Sequence, residues 1–175
     1  MRRRLRGGAR LSGLWLAMAL AASCGRGSAS LLRVNEVVPS NKLGCADAAG
    51  ERNDWVELYN GESYQVDLGG YSITDDTASP DKHVFADGLT VASKGVLLLW
   101  ADHTPDQGPT HLSFKLNAKG EEVVLYDPSR KIIDRISWTL MASDLSLARI
   151  PDGTGDFVLC ATPTCGALNG SSCGE

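Results

Sequence analysis

No stretch after residue 30 carries the 3.6-residue period of an amphipathic helix, so the chain has little from which to build a helical bundle. Its long apolar run, Leu11–Ala22, rises only about 18 Å as a helix, short of a hydrocarbon core of roughly 30 Å. The sequence contains no phosphate loop, no His-Glu-x-x-His and no paired Cys-x-x-Cys knuckles of the kind that mark a zinc ribbon. Positive charge is scarce as well. Five of the 17 basic residues fall within the first ten positions, leaving 12 against all 21 acidic ones, a balance of −9. With no basic patch to release counterions from phosphates, no nucleic-acid binding is expected.

What remains is the grammar of short strands. The segment Asn53–Asn60 alternates, with Val56 and Leu58 on one face and Trp55, Glu57 and Tyr59 on the other. That predicts a half-buried antiparallel strand, closed by the turn-forming pair Asn60-Gly61. Leu31–Val38 predicts a strand before it; Val66–Thr74 predicts two short ones bent at Gly69-Gly70, and His83–Phe85 a brief one. Gly95–Ala101 is the most apolar run beyond the leader and predicts a central strand covered on both sides. His111–Lys115 predicts another. Glu121–Tyr126 and Lys131–Trp138 flank the turn Asp127-Pro128-Ser129-Arg130 and predict a hairpin, with Ile132, Ile136 and Trp138 on one face and Asp134 out of place. Ser146–Arg149 and Asp156–Leu159 follow, separated by Pro151-Asp152-Gly153. Strands at this spacing, with turn signals between them, predict an all-β sandwich or barrel of one domain.

The amino terminus reads as an export signal: Arg2, Arg3, Arg4, Arg6 and Arg10, then the apolar run, then small residues and Cys24. Two processing routes fit it. Ala21-Ala22-Ser23-Cys24 resembles a lipobox, with cleavage before an acylated Cys24 that anchors the chain to a membrane; ordinary cleavage at Ala19-Leu20-Ala21 gives a secreted or periplasmic protein. The organisation is then a signal peptide over 1–23, a tether over 24–30, the sandwich over 31–170 and a tail over 171–175. With Cys24 acylated, Cys45, Cys160, Cys165 and Cys173 are even in number and suit two disulfides in an oxidising compartment, with free thiols the alternative. Three connectivities are open. Cys160 and Cys165 enclose only four residues and suit a local loop, with Cys45 then joined to Cys173.

Trp55-Val56-Glu57-Leu58-Tyr59-Asn60, Leu68-Gly69-Gly70-Tyr71-Ser72-Ile73, Phe114-Lys115-Leu116 leading to Gly120-Glu121-Glu122-Val123, and Ser146–Arg149 with Pro151-Asp152-Gly153 follow one another in a characteristic order. In that order and spacing the chain resembles a lamin tail domain over about residues 32–169. The resemblance implies an immunoglobulin-like β-sandwich, an exported bacterial protein and a non-catalytic interaction module with no catalytic residues and no cofactor to carry over. Where such domains end in a Pro-Gly-x-Pro-Asn-like closure, this sequence has Cys165-Gly166-Ala167-Leu168-Asn169, which implies a disulfide adaptation of that end.

Two readings of function follow. One is a binding or structural module of the cell envelope, partnered by a cell-surface protein or polymer. The other is a secreted hydrolase or calcium-dependent enzyme using Glu57 or the loop of Asp75, Asp76 and Asp81, whose oxygens are the candidate calcium ligands. Against these stand blander expectations. Glu57 reads as an exposed or salt-bridged strand residue, the aspartates as turn formers, and His83, His103 and His111 as solvated surface imidazoles. Trp100 and Trp138 could form a sugar-binding platform, but their apolar strands predict core positions.

Overall fold

A computed structural model describes residues 30–170; the leader, Cys24 and Cys173 lie outside the described residues. Eleven strands run in order: β1 (Leu32–Val38), β2 (Asp54–Asn60), β3 (Val66–Asp67), β4 (Ser72–Thr74), β5 (His83–Val84), β6 (Thr90–Val91), β7 (Val96–Ala101), β8 (Glu121–Tyr126), β9 (Ile132–Trp138), β10 (Ser146–Ile150) and β11 (Asp156–Cys160). Among the described residues one 3-10 turn, Pro105–Gln107, interrupts them. One sheet has the order β11-β10-β1-β2-β7, the second β5-β4-β8-β9, and β3 pairs with β6; every pair of named strands is antiparallel.

The inner faces close as a sandwich. Val34, Val37, Val56, Leu58 and Leu99 from the first sheet form one core with Ile73, Val123, Leu125 and Ile136 from the second. Leu68, Leu112 and Phe114, from the connections, complete it. Burying each such side chain contributes roughly 1.5–3 kcal/mol, the main return on ordering strands that are too short to stand alone. Trp138 belongs to this core and Trp100 to a smaller one with Val38 and Trp55 on the opposite face of the first sheet, as their apolar context predicts.

Several expectations need correction. Gly95–Ala101 is not a central strand: β7 ends the five-stranded sheet. Its apolar excess serves both faces, and its far side is covered by the segment after it, where Trp100 N–H donates to Thr110 O and Leu112 N–H to Trp100 O. That same segment, His111–Lys115, makes only isolated bridges to Trp100 and Asp102 rather than a strand. In the β8–β9 hairpin a register shift beside Leu125 and Tyr126 sends Ile132 outward, 44% exposed, so it does not share the face of Ile136 and Trp138. The short strand Thr90–Val91 has no counterpart in the sequence expectation.

Asp134, the polar residue on an apolar face, has a structural partner. Arg149 on β10 donates through Nη2 to both Asp134 carboxylate oxygens (2.8 and 2.9 Å), through Nε to Val34 O (2.9 Å) and through Nη1 to Gly155 O (2.9 Å). Its guanidinium also lies 4.1 Å from the Phe157 ring centroid. One side chain therefore joins β10, β1, β9 and the β10–β11 turn. Arg149→Lys keeps the charge but not the fork of donors, and is expected to cost about 2 kcal/mol in urea unfolding; a cost near zero would mean the charge alone is what the site uses.

Candidate functional site

The most heavily built polar region lies on the outer face of β1 and β2. The pairing Val34↔Leu58 followed by Glu36↔Glu57 leaves Asn35 as an extra residue on β1, a bulge that lets Asn35 and Glu36 both address one side. Glu36 and Glu57 are cross-strand neighbours there, and both are fully buried. The cover is the carboxy-terminal segment. Glu36 accepts from Ser146 Oγ (2.6 Å), Thr164 Oγ1 (2.5 Å) and Thr164 N (3.2 Å); Glu57 accepts from Asn35 Nδ2 (3.0 Å) and Gly166 N (2.9 Å). Asn169 closes the seal, donating through Nδ2 to Asn35 O and Arg149 O and through its backbone N–H to Asp152.

The turn that supplies Asp152 must be tight. Gly153 N–H donates to Asn35 Oδ1 (3.0 Å) with φ at +64°, and a Cβ there would collide with the Tyr59 ring. Above Trp55, the segment is fixed covalently: Cys165 forms a disulfide with Cys45 in the β1–β2 connection. This corrects the expected local loop between Cys160 and Cys165, because Cys165 and Cys45 both pack against the small core of Val38, Trp55 and Trp100. It agrees with the disulfide adaptation implied at this closure. Cys160 is buried and disulfide-bonded as well. A cavity of about 280 Å³ lies against the bridge, lined by Asn41, Leu43, Cys45, Trp55, Pro163 and Cys165 among others.

Burial dominates the electrostatics of this region. It pushes Glu57 up to about 8, with the neighbouring carboxylates of Glu36 and Asp152 adding to the rise and the bond from Asn35 opposing it. Burial raises Glu36 too, against its hydrogen bonds from Ser146 and Thr164. Glu57 is therefore neither exposed nor salt-bridged, a correction to the strand-surface expectation. The alternation of β2 was legible, but its second face is covered by residues more than a hundred positions away. Two carboxyls with raised pKa values would suit acid-base chemistry if a substrate could reach them, and here the Thr164–Asn169 segment stands in the way.

The loop aspartates take separate partners. Asp75 pairs with Lys82 (2.6 Å), Asp81 with Arg130 (2.5 Å), and Asp76 accepts from Ala78 N (2.9 Å) as an Asx turn. The histidines divide as well. His103 is exposed, with Nδ1 2.6 Å from Ser113 O; His83 is half-buried against Phe85, burial lowering its pKa, and accepts from Ser113 N. His111 departs from the solvated expectation: it is only 8% exposed and its Nδ1 lies 2.5 Å from Asp102 Oδ2. Burial acts to raise the Asp102 carboxyl, but the bonds from His111 and Thr104 outweigh it and hold it below its ordinary range. Asp47, from the β1–β2 connection, approaches this pair so closely that one ligand atom from each of the three lies within 4.8 Å of the others. Sequence reasoning passed over this grouping because Asp47 and Asp102 are 55 positions apart and neither belongs to a spaced motif.

Among known proteins, a family model described as Lamin Tail Domain matches residues 27–140. No curated protein matches the chain. Domains of that family are immunoglobulin-like and generally non-catalytic, which accords with two carboxyls locked into structural bonds. With more than half of its length matched and the antiparallel sandwich in place, the chain belongs to the lamin tail domain family.

Proposed function

We propose that the protein is a non-catalytic binding or structural module of a bacterial cell envelope, exported by its leader and anchored through an acylated Cys24, with a cell-surface protein or polymer as partner. The sealing of Glu36 and Glu57 beneath the Thr164–Asn169 segment carries the non-catalytic reading: the groups best suited to chemistry are spent on holding the fold shut. The edge strand β11, with Val158 and Leu159 exposed, offers backbone groups for an extended partner to pair with.

Two measurements test it. Protein purified from its native envelope is expected to have an intact mass that begins at Cys24 and includes acyl chains; an unacylated chain with another start refutes the anchor. A hydrolase substrate panel is expected to give no turnover. Turnover that disappears in a folded Glu57→Gln variant would establish the secreted-hydrolase reading instead.

A further inference from the structure

We propose that Asp47, Asp102 and His111 bind a divalent metal ion of the zinc class, cross-linking the β1–β2 connection to the segment that follows β7. The three arrive from separate parts of the chain and offer ligand atoms within 4.8 Å of one another. Each is already oriented. Asp47 Oδ1 accepts from Ala49 N (2.8 Å) and Glu51 N (2.9 Å), which leaves Oδ2 with only a long contact from Asn53 Nδ2 (3.5 Å). Asp102 Oδ1 accepts from Thr104 N (2.9 Å), and its Oδ2 shares a proton with His111 Nδ1 at 2.5 Å, a hydrogen bond that an ion held by both residues would replace, the proton leaving to solvent. His111 is held through its backbone N–H to Gly108 O (3.0 Å) and its bridge to Trp100.

The Thr104 side chain lies beside them, its buried Oγ1 against the Asp102 carboxyl, which it helps to hold in place. The donor set selects the ion. One imidazole nitrogen and two carboxylate oxygens match zinc, which binds such atoms at about 2.0–2.2 Å and completes its shell with water. Calcium needs six to eight oxygens, and thiophilic ions need thiolates, whereas Cys45, Cys160 and Cys165 are in disulfides.

The test uses the oxidised protein stripped with chelator. Calorimetric titration with zinc is expected to give one site, and cobalt(II) at the same site is expected to show the visible absorption of a low-coordinate ion. Asp47→Ala, which removes a loop side chain outside the core, is expected to weaken zinc binding at least roughly tenfold and to abolish the zinc-dependent rise in melting temperature. His103→Ala, at an exposed imidazole outside the trio, is expected to bind as the wild type does. No one-to-one binding, binding unchanged in Asp47→Ala, or binding lost in His103→Ala would each overturn the proposal.

Discussion

Replacing Cys165 with serine is expected to lower the stability of the oxidised protein by about 4 kcal/mol. The bridge to Cys45 spans a sequence separation of 120, so it restricts nearly the whole domain in the unfolded state, and loop-closure entropy grows with that length. Its folded-state role adds to this. Cys165 sits between Thr164, which serves Glu36, and Gly166, which serves Glu57, so the bridge pins the cover at the point where it meets both carboxyls. For a domain of this size the loss corresponds to a melting temperature lower by about 10 °C or more. Calorimetry on Cys45→Ser, Cys165→Ser and the double variant checks it: all three are expected to lose the same amount, because one bond is removed in each case. A loss below about 1 kcal/mol would mean that the hydrogen bonds from Thr164, Gly166 and Asn169 hold the cover unaided.

The sequence was informative wherever structure is local. Alternation in Trp55–Tyr59 and the turn Asp127-Pro128-Ser129-Arg130 located β2 and the β8–β9 hairpin, because side-chain period and turn chemistry are written within a few residues. The export reading of residues 1–23 and Cys24 concerns positions outside the described residues. What was not legible depends on distant chain. Whether Glu57 faces solvent is decided by Gly166, and whether Gly95–Ala101 is central or an edge is decided by which strands flank it. Register shifts hide further information: one residue inserted on β1 places Asn35 beside Glu36, and another on β9 turns Ile132 out. Asp134 was the polar misfit that pointed to a partner, although nothing local named Arg149.

Between pH 5 and pH 8 the protein is expected to lose about 3 kcal/mol of stability, and Glu57→Gln is expected to remove most of that slope. Glu57 titrates near its ordinary value of 4.5 in the unfolded chain but at about 8 when folded. Across that window the folded state binds more protons than the unfolded state, so each rise in pH favours unfolding. Below the unfolded value both states are protonated and the contribution is fully present; it is lost as pH climbs through the folded value. The direction is opposite to that of a salt-bridged carboxylate, whose stabilisation grows with pH over the acid range. Glu36, raised by the same burial, pushes the same way, and Asp152 acts on Glu57 as a further negative neighbour. Glutamine removes the titration while keeping the shape, at the cost of one poor contact, since its amide cannot accept from both Asn35 Nδ2 and Gly166 N. The variant should therefore be less stable than the wild type at pH 5 and equal or better at pH 8. Urea midpoints at the two pH values, measured on both proteins, decide the matter. A wild type with no slope would mean that the Thr164–Asn169 cover admits water to Glu57, and an unchanged slope in the variant would assign the titration to Glu36.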